Sequence, residues 1–102
     1  MHKFVVLYPP QPDPEKFRSY YVETHIPLVR KLPGLQALRY SFDVQSGEGD
    51  SAFFCIFEGE FADAAAMGAA MASPEGQAAI ADVPNFAHGA PTVINYPVDA
   101  KM

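Results

Sequence analysis

The order of elements along the chain predicts an α+β protein. The plan is a ferredoxin-like βαββαβ fold with a four-stranded antiparallel sheet, packed sheet to sheet with a second copy as a dimeric α+β barrel. Two observations carry the prediction. Strand-like and helix-like stretches alternate in that order, each closed by proline or glycine signals. Strands 1 and 3, central in this plan, are apolar on both faces, while two helices cover only one face of a sheet. The uncovered face predicts a homodimer.

Residues 3–9 are rich in β-formers and end at Pro9-Pro10, which defines the first strand. Asp13 before Pro14-Glu15 is a helix start, with an N-cap acceptor, proline at the first helical position and an acid in the first turn. Phe17, Tyr20, Tyr21, Thr24, Leu28 and Leu32 then fall on one stripe at helical spacing. Pro27 interrupts this helix, so a kink or break is expected near Thr24–Ile26, and Pro33-Gly34 closes it.

Leu38, Tyr40, Phe42 and Val44 alternate with polar residues as a half-buried strand. A turn at Gly47–Asp50 leads into the apolar run Ala52–Phe57, completing a hairpin in which Phe53, Cys55 and Phe57 oppose Phe54 and Ile56. Asp63 caps an alanine-rich helix reaching about Ala72, with Met67, Ala70 and Met71 inward, and Ser73-Pro74-Glu75 starts a second helical piece that Pro84 ends. Thr92–Tyr96 is the last strand.

Composition bounds the function. A chain of 102 residues is one domain, residues 1–102. Its net charge of −5 and lack of clustered Lys/Arg exclude nucleic acid as an expected partner. No apolar stretch is as long as a membrane span, and the N-terminus has no signal-peptide pattern, so a cytoplasmic protein is expected. Cys55, the one cysteine, reads as a buried thiol. Eight Phe and five Tyr, with no Trp, exceed what one small core needs.

His25 is the first candidate for chemistry. It follows Tyr21 by one helical turn, flanks the apolar stripe, and stands just before Pro27, where an interrupted helix frees a carbonyl for its ring N–H. It reads either as a general acid/base at a cavity rim or as a structural tie for the kink. Tyr8 and Tyr40 are the candidate hydroxyls to hold a substrate oxygen. Tyr21, Phe17, Phe54, Phe86 and His88 are the candidate lining of a pocket between sheet and first helix. Each of these also has an ordinary reading, as a ring inside with its polar tip in water or as a solvated loop residue.

No metal site is expected, since His25 and His88 with Glu23 or Asp82 lack ligand spacing. Gly47-x-Gly49 opens no helix, and there is no serine nucleophile elbow.

The run Tyr20-Tyr21-x-x-x-His25-x-Pro27-Leu28, with Pro14-Glu15-x-Phe17 before it and Pro33-Gly34-Leu35 after, resembles the EthD family, named for ethyl tert-butyl ether degradation. Ala72–Gly76 and Asp82-x-Pro84-Asn85-Phe86 are similar to its second helical region. The resemblance implies a dimeric α+β barrel, a superfamily that includes methylmuconolactone isomerases, polyketide cyclases, cofactor-independent monooxygenases and haem-binding members. It supplies no reaction, and His25 is the residue it best carries over.

Three readings follow. The first is a cofactor-independent isomerase, cyclase or monooxygenase-like enzyme acting on a small apolar aromatic or lactone-like metabolite, with His25 moving a proton. The second is a non-catalytic accessory protein that sequesters such a ligand. The third is a haem binder with His25 or His88 as axial ligand. Neither of the first two requires a cofactor.

Overall fold

In a computed structural model, which describes residues 1–100, β1 (His2–Tyr8) leads through a proline-rich loop into α1 (Pro14–Tyr20). Asp13 caps α1 by accepting the Lys16 N–H at 3.1 Å, an interaction worth about 1 kcal/mol. A π-helical turn, Tyr21–His25, joins α1 to α2 (Ile26–Val29). β2 (Ala37–Phe42) and β3 (Cys55–Phe61) follow, then α3 (Ala64–Ala72), α4 (Pro74–Asp82), a 3₁₀ turn at Val83–Asn85 and β4 (Thr92–Pro97).

The sheet order is β2-β3-β1-β4 with every pair antiparallel, so strands 1 and 3 are central as expected, although β3 as formed carries Glu58 and Glu60 on its open face and is not apolar on both. Register puts Phe4, Val6 and Tyr8 on one face together with Cys55, Phe57 and Phe61, and Val5 and Leu7 on the other together with Ile56 and Ile94. The helices lie on the first face, and the buried core is there.

Two local expectations are corrected. β3 begins at Cys55 and runs to Phe61, later than the Ala52–Phe57 stretch expected. The Phe57-Glu58-Gly59-Glu60-Phe61 segment alternates inward and outward and pairs with β1 throughout. Phe53 and Phe54 precede the strand. Phe54 donates its N–H to the Tyr8 carbonyl at 2.7 Å while Cys55 is the register partner of Tyr8, so two residues stand against one, as in a bulge. That bend lets Phe54 pack on Phe17, 5.4 Å between centroids, on the helix side with Cys55 rather than opposite it.

The second correction concerns the first helix, whose interruption near Thr24–Ile26 takes the form of a π turn. Pro27 lacks the N–H that would bond four residues back, and one extra residue is taken into the turn instead: the Ile26 N–H reaches the Tyr21 carbonyl. The apolar stripe changes phase there. Phe17, Tyr21, His25, Ile26, Val29 and Leu32 are buried, whereas Thr24 is exposed and Tyr20 and Leu28 are only half-buried.

The surplus of rings collects around Phe17. Its centroid lies 5.3 Å from Tyr8, 5.4 Å from Tyr21 and 5.2 Å from Phe86. Pairs of this kind add about 0.5–1.5 kcal/mol each beyond the area they bury.

Candidate functional site

Between the helix-side face of the sheet and the helices lies a cavity of about 500 Å³. Phe4, Val6, Tyr8, Phe57 and Val93 form its floor, and Tyr21, His25, Val29 and Leu32 one wall. Met71, Ala79, Ile80 and Val83 close the far side. Ile80 and Val93 are each 52% exposed and mark the mouth. Among the described residues, the only hydrogen-bonding side chains on this lining are His25, Tyr8 and Tyr21, and none is charged at neutral pH.

His25 is brought there by the π turn. The wider turn aims Tyr21 and His25 inward together, their rings stacked at 5.4 Å, and Phe86 packs on the imidazole at 4.5 Å. The His25 Nδ1–H donates to Asp82 Oδ2 at 3.0 Å, so its partner is a carboxylate on α4 and not the freed helix carbonyl expected. Asp82 also accepts from the Tyr20 hydroxyl at 2.6 Å and from Asn85 Nδ2 at 3.1 Å, both on Oδ1. A carboxylate holding three donors fixes the imidazole's tautomer and orientation. Nε2 is thereby the lone-pair nitrogen of a ring that lines the cavity, and it has no protein partner among the described residues.

The electrostatics suit a neutral base. Burial pulls the His25 imidazole below its ordinary value, and the hydrogen bond and charge of Asp82 oppose this only in part. Burial alone would raise the Asp82 carboxyl, but the hydrogen bonds from Tyr20, Asn85 and His25 outweigh it and hold the group below the usual carboxylate range. Burial likewise lifts the Tyr8 and Tyr21 hydroxyls well above the ordinary phenol value, and Tyr21, wholly buried, is hydrogen-bonded to Tyr8 and Cys55. The Cys55 thiol beside them is pushed up to about 12 by burial.

Of the residues expected from sequence, the structure brings His25, Tyr8 and Tyr21 together on this cavity. Tyr40 stands off it, behind Tyr21, packing edge-on at 5.5 Å. Phe17 and Phe54 are core rings. Phe86 backs His25, and with Phe17 and His88 lines a separate, polar depression of about 330 Å³ on the far side of the Asp82 cluster. His88 is exposed there, its backbone gripped in both directions by the Gln11 side chain.

Sequence reasoning missed Asp82, Tyr20 and Asn85 as a set. A signal was present, because an acid at a helix C-terminus faces the negative end of the helix dipole and calls for compensating donors. Asp82 is the last residue of α4, three before Asn85.

The strand order, with all helices on one face, defines a small ferredoxin-like α+β protein. A dimeric ferredoxin-like protein of unknown function from Jannaschia sp. CCS1 shares it, with a TM-score of 0.68 at 20% identity over 95% of this chain and 97% of that one. The chain belongs to the EthD family, whose domain model matches residues 9–90. An ethyl tert-butyl ether degradation (EthD) family protein from Bacillus halodurans is similar at 33% identity and a TM-score of 0.89, covering 96% of this chain and 98% of that one. An uncharacterized 11.0 kDa protein from the thcB-thcC intergenic region of Rhodococcus erythropolis is 36% identical over 95 residues, 92% of this chain and 91% of the relative.

Proposed function

We propose that the protein is an acid–base catalyst acting on a small, mostly apolar aromatic or lactone-like metabolite held between the sheet and the first helix. One observation carries this reading: a buried imidazole whose Nδ1 is committed to an ionised carboxylate lines an otherwise apolar cavity. His25 Nε2 is the proton acceptor, and the Tyr8 hydroxyl is the donor for a substrate oxygen, with the buried Tyr21 hydroxyl bonded to Tyr8 behind it. Tyr40, Phe17, Phe54 and Phe86 shape the site through the rings they support.

The test uses 2-tetralone, an enolisable bicyclic ketone, and follows exchange of its α-hydrogens for deuterium by NMR. Catalysed exchange is expected to fall on the order of a hundredfold in His25→Ala with the fold retained by circular dichroism. Exchange unaffected by the substitution, with 2-tetralone still bound, would leave the ligand-sequestering reading, which the scarcity of polar groups on the lining favours. A Soret band on haem titration that His25→Ala abolishes would establish the haem-binding reading instead.

The site is proposed to work in a homodimer. The open face of the sheet presents an apolar patch of Leu7, Ile56, Ile94 and Tyr96, with Ile94 44% and Tyr96 41% exposed, beside the ion pairs Lys3–Glu58 and Arg39–Glu60. A face that joins an apolar patch to internally paired charges is a natural isologous interface, and the likeness to a dimeric ferredoxin-like protein supports the assignment. Light scattering should give twice the chain mass, and Ile94→Glu should halve it; a monomeric wild-type protein refutes the dimer.

A further inference from the structure

The cavity also constrains the charge of what it accepts. Among the described residues, its lining carries no Lys, Arg, Asp or Glu. Lys3 is engaged elsewhere with Glu58 at 2.9 Å and Arg39 with Glu60 at 3.2 Å on the open face of the sheet, Arg18 with Glu15 and Asp43, and Lys16 lies on the separate polar depression. An anionic ligand therefore loses its hydration without meeting a countercharge. It also meets a repulsive one. Asp82 stands directly behind the His25 ring, so a carboxylate at Nε2 would place two negative charges on opposite edges of one neutral imidazole. A cationic ligand fares no better, because no acid lies on the lining and Asp82 is already saturated by three donors.

We propose that the substrate is an uncharged, largely apolar molecule with one weakly acidic proton, a phenol or an enolisable ketone, which enters neutral and yields that proton to His25 Nε2. This rests on the reading of His25 as the base. In the step the substrate O–H or C–H bond breaks, an Nε2–H bond forms, and the electron pair stays on the substrate, delocalised onto its oxygen. The imidazolium so made lies between the Asp82 carboxylate and the new oxyanion, so charge separates only across contacting groups. Tyr8, on the cavity lining, is the donor that meets the oxyanion, and the wholly buried Tyr21 hydroxyl supports it from behind. Return of the proton to a different atom of the same anion makes the reaction an isomerisation.

Three ring-matched probes separate the charge claim from the cavity claim. Binding of 2-naphthol, 2-methoxynaphthalene and 2-naphthoate is measured by calorimetry at neutral pH on the intact protein. Naphthol should bind at least about tenfold more tightly than naphthoate, since the anion is stripped of water beside an ionised carboxylate. Asp82→Asn, of the same shape without the charge, should narrow that gap by strengthening naphthoate, and His25→Ala should remove the advantage of naphthol over the methyl ether. Naphthoate bound as tightly as naphthol by the wild-type protein overturns the inference while leaving the cavity as a binding site. Failure of all three probes to bind refutes the cavity as the site itself.

Discussion

Gly76 and Gly68 sit on neighbouring helices, and the same substitution at each should have opposite signs. Gly68 lies in α3 with open space where a Cβ would project. Gly68→Ala therefore keeps only the gain in helix propensity, about 0.5–1 kcal/mol. Gly76, in the first turn of α4, is different. A Cβ there would sit 2.2 Å from the Ala70 carbonyl oxygen and 2.6 Å from that of Met71, both backbone atoms of α3. Reaching an ordinary contact needs a separation of about 1 Å, and overpacking of this kind costs about 1–3 kcal/mol. The joint cannot open freely, because the Ala70 carbonyl also accepts from the Ser73 hydroxyl at 2.5 Å, and that same hydroxyl caps α4 through the Gly76 N–H at 3.0 Å. Sterics should outweigh propensity, giving a net loss of about 1–2 kcal/mol for Gly76→Ala. For a chain of this size that is a melting temperature lower by about 4–15 °C. Urea midpoints at one fixed protein concentration, with unchanged slope, measure both variants. A Gly76→Ala protein as stable as wild type would refute the claim that backbone contact sets the approach of α3 and α4.

Two further outcomes follow from the buried groups. Cys55 is fully buried with its thiol pushed up to about 12, so a thiol reagent should label it only at the rate of global unfolding; rapid labelling of the native protein would contradict its placement. Stability should fall on mild acidification. His25 is held below its ordinary value, so as pH drops below about 6.5 the unfolded chain takes up a proton that the folded one refuses. Asp82, also held low, adds a second loss below about 4 as its carboxylate is forced to protonate. Melting temperatures between pH 8 and 5 should decline less in His25→Gln than in wild type, and equal slopes would assign the dependence to other groups.

The parts of the fold legible in sequence were those governed by local chemistry. Asp13, Asp63 and Ser73 each accept the backbone N–H three residues on, as their positions before Pro or Ala runs foretold. The order of elements put strands 1 and 3 in the middle of the sheet, and strand 1 is apolar on both faces there, whereas the run that made strand 3 look so begins ahead of β3. What was misread depended on counting. The phase of the stripe beyond Tyr21 shifts because the turn takes in one residue more than an α-helix does, and helical spacing assigns Thr24 the inward place that His25 and Ile26 occupy. Asp82 was invisible as a partner for His25 because 57 residues separate them, and only the docking of α4 on the first helix closes that distance.

The π turn also makes one helix into two separately aimed arms. Upstream, Phe17 is set against β1; downstream, Val29 and Leu32 face the cavity, and the rotation between the arms comes from one inserted residue. Such a joint is a vernier: adding or removing a residue within it turns the downstream arm by about 100° relative to the upstream one. The direction of the imidazole is thus encoded in chain length as much as in residue identity.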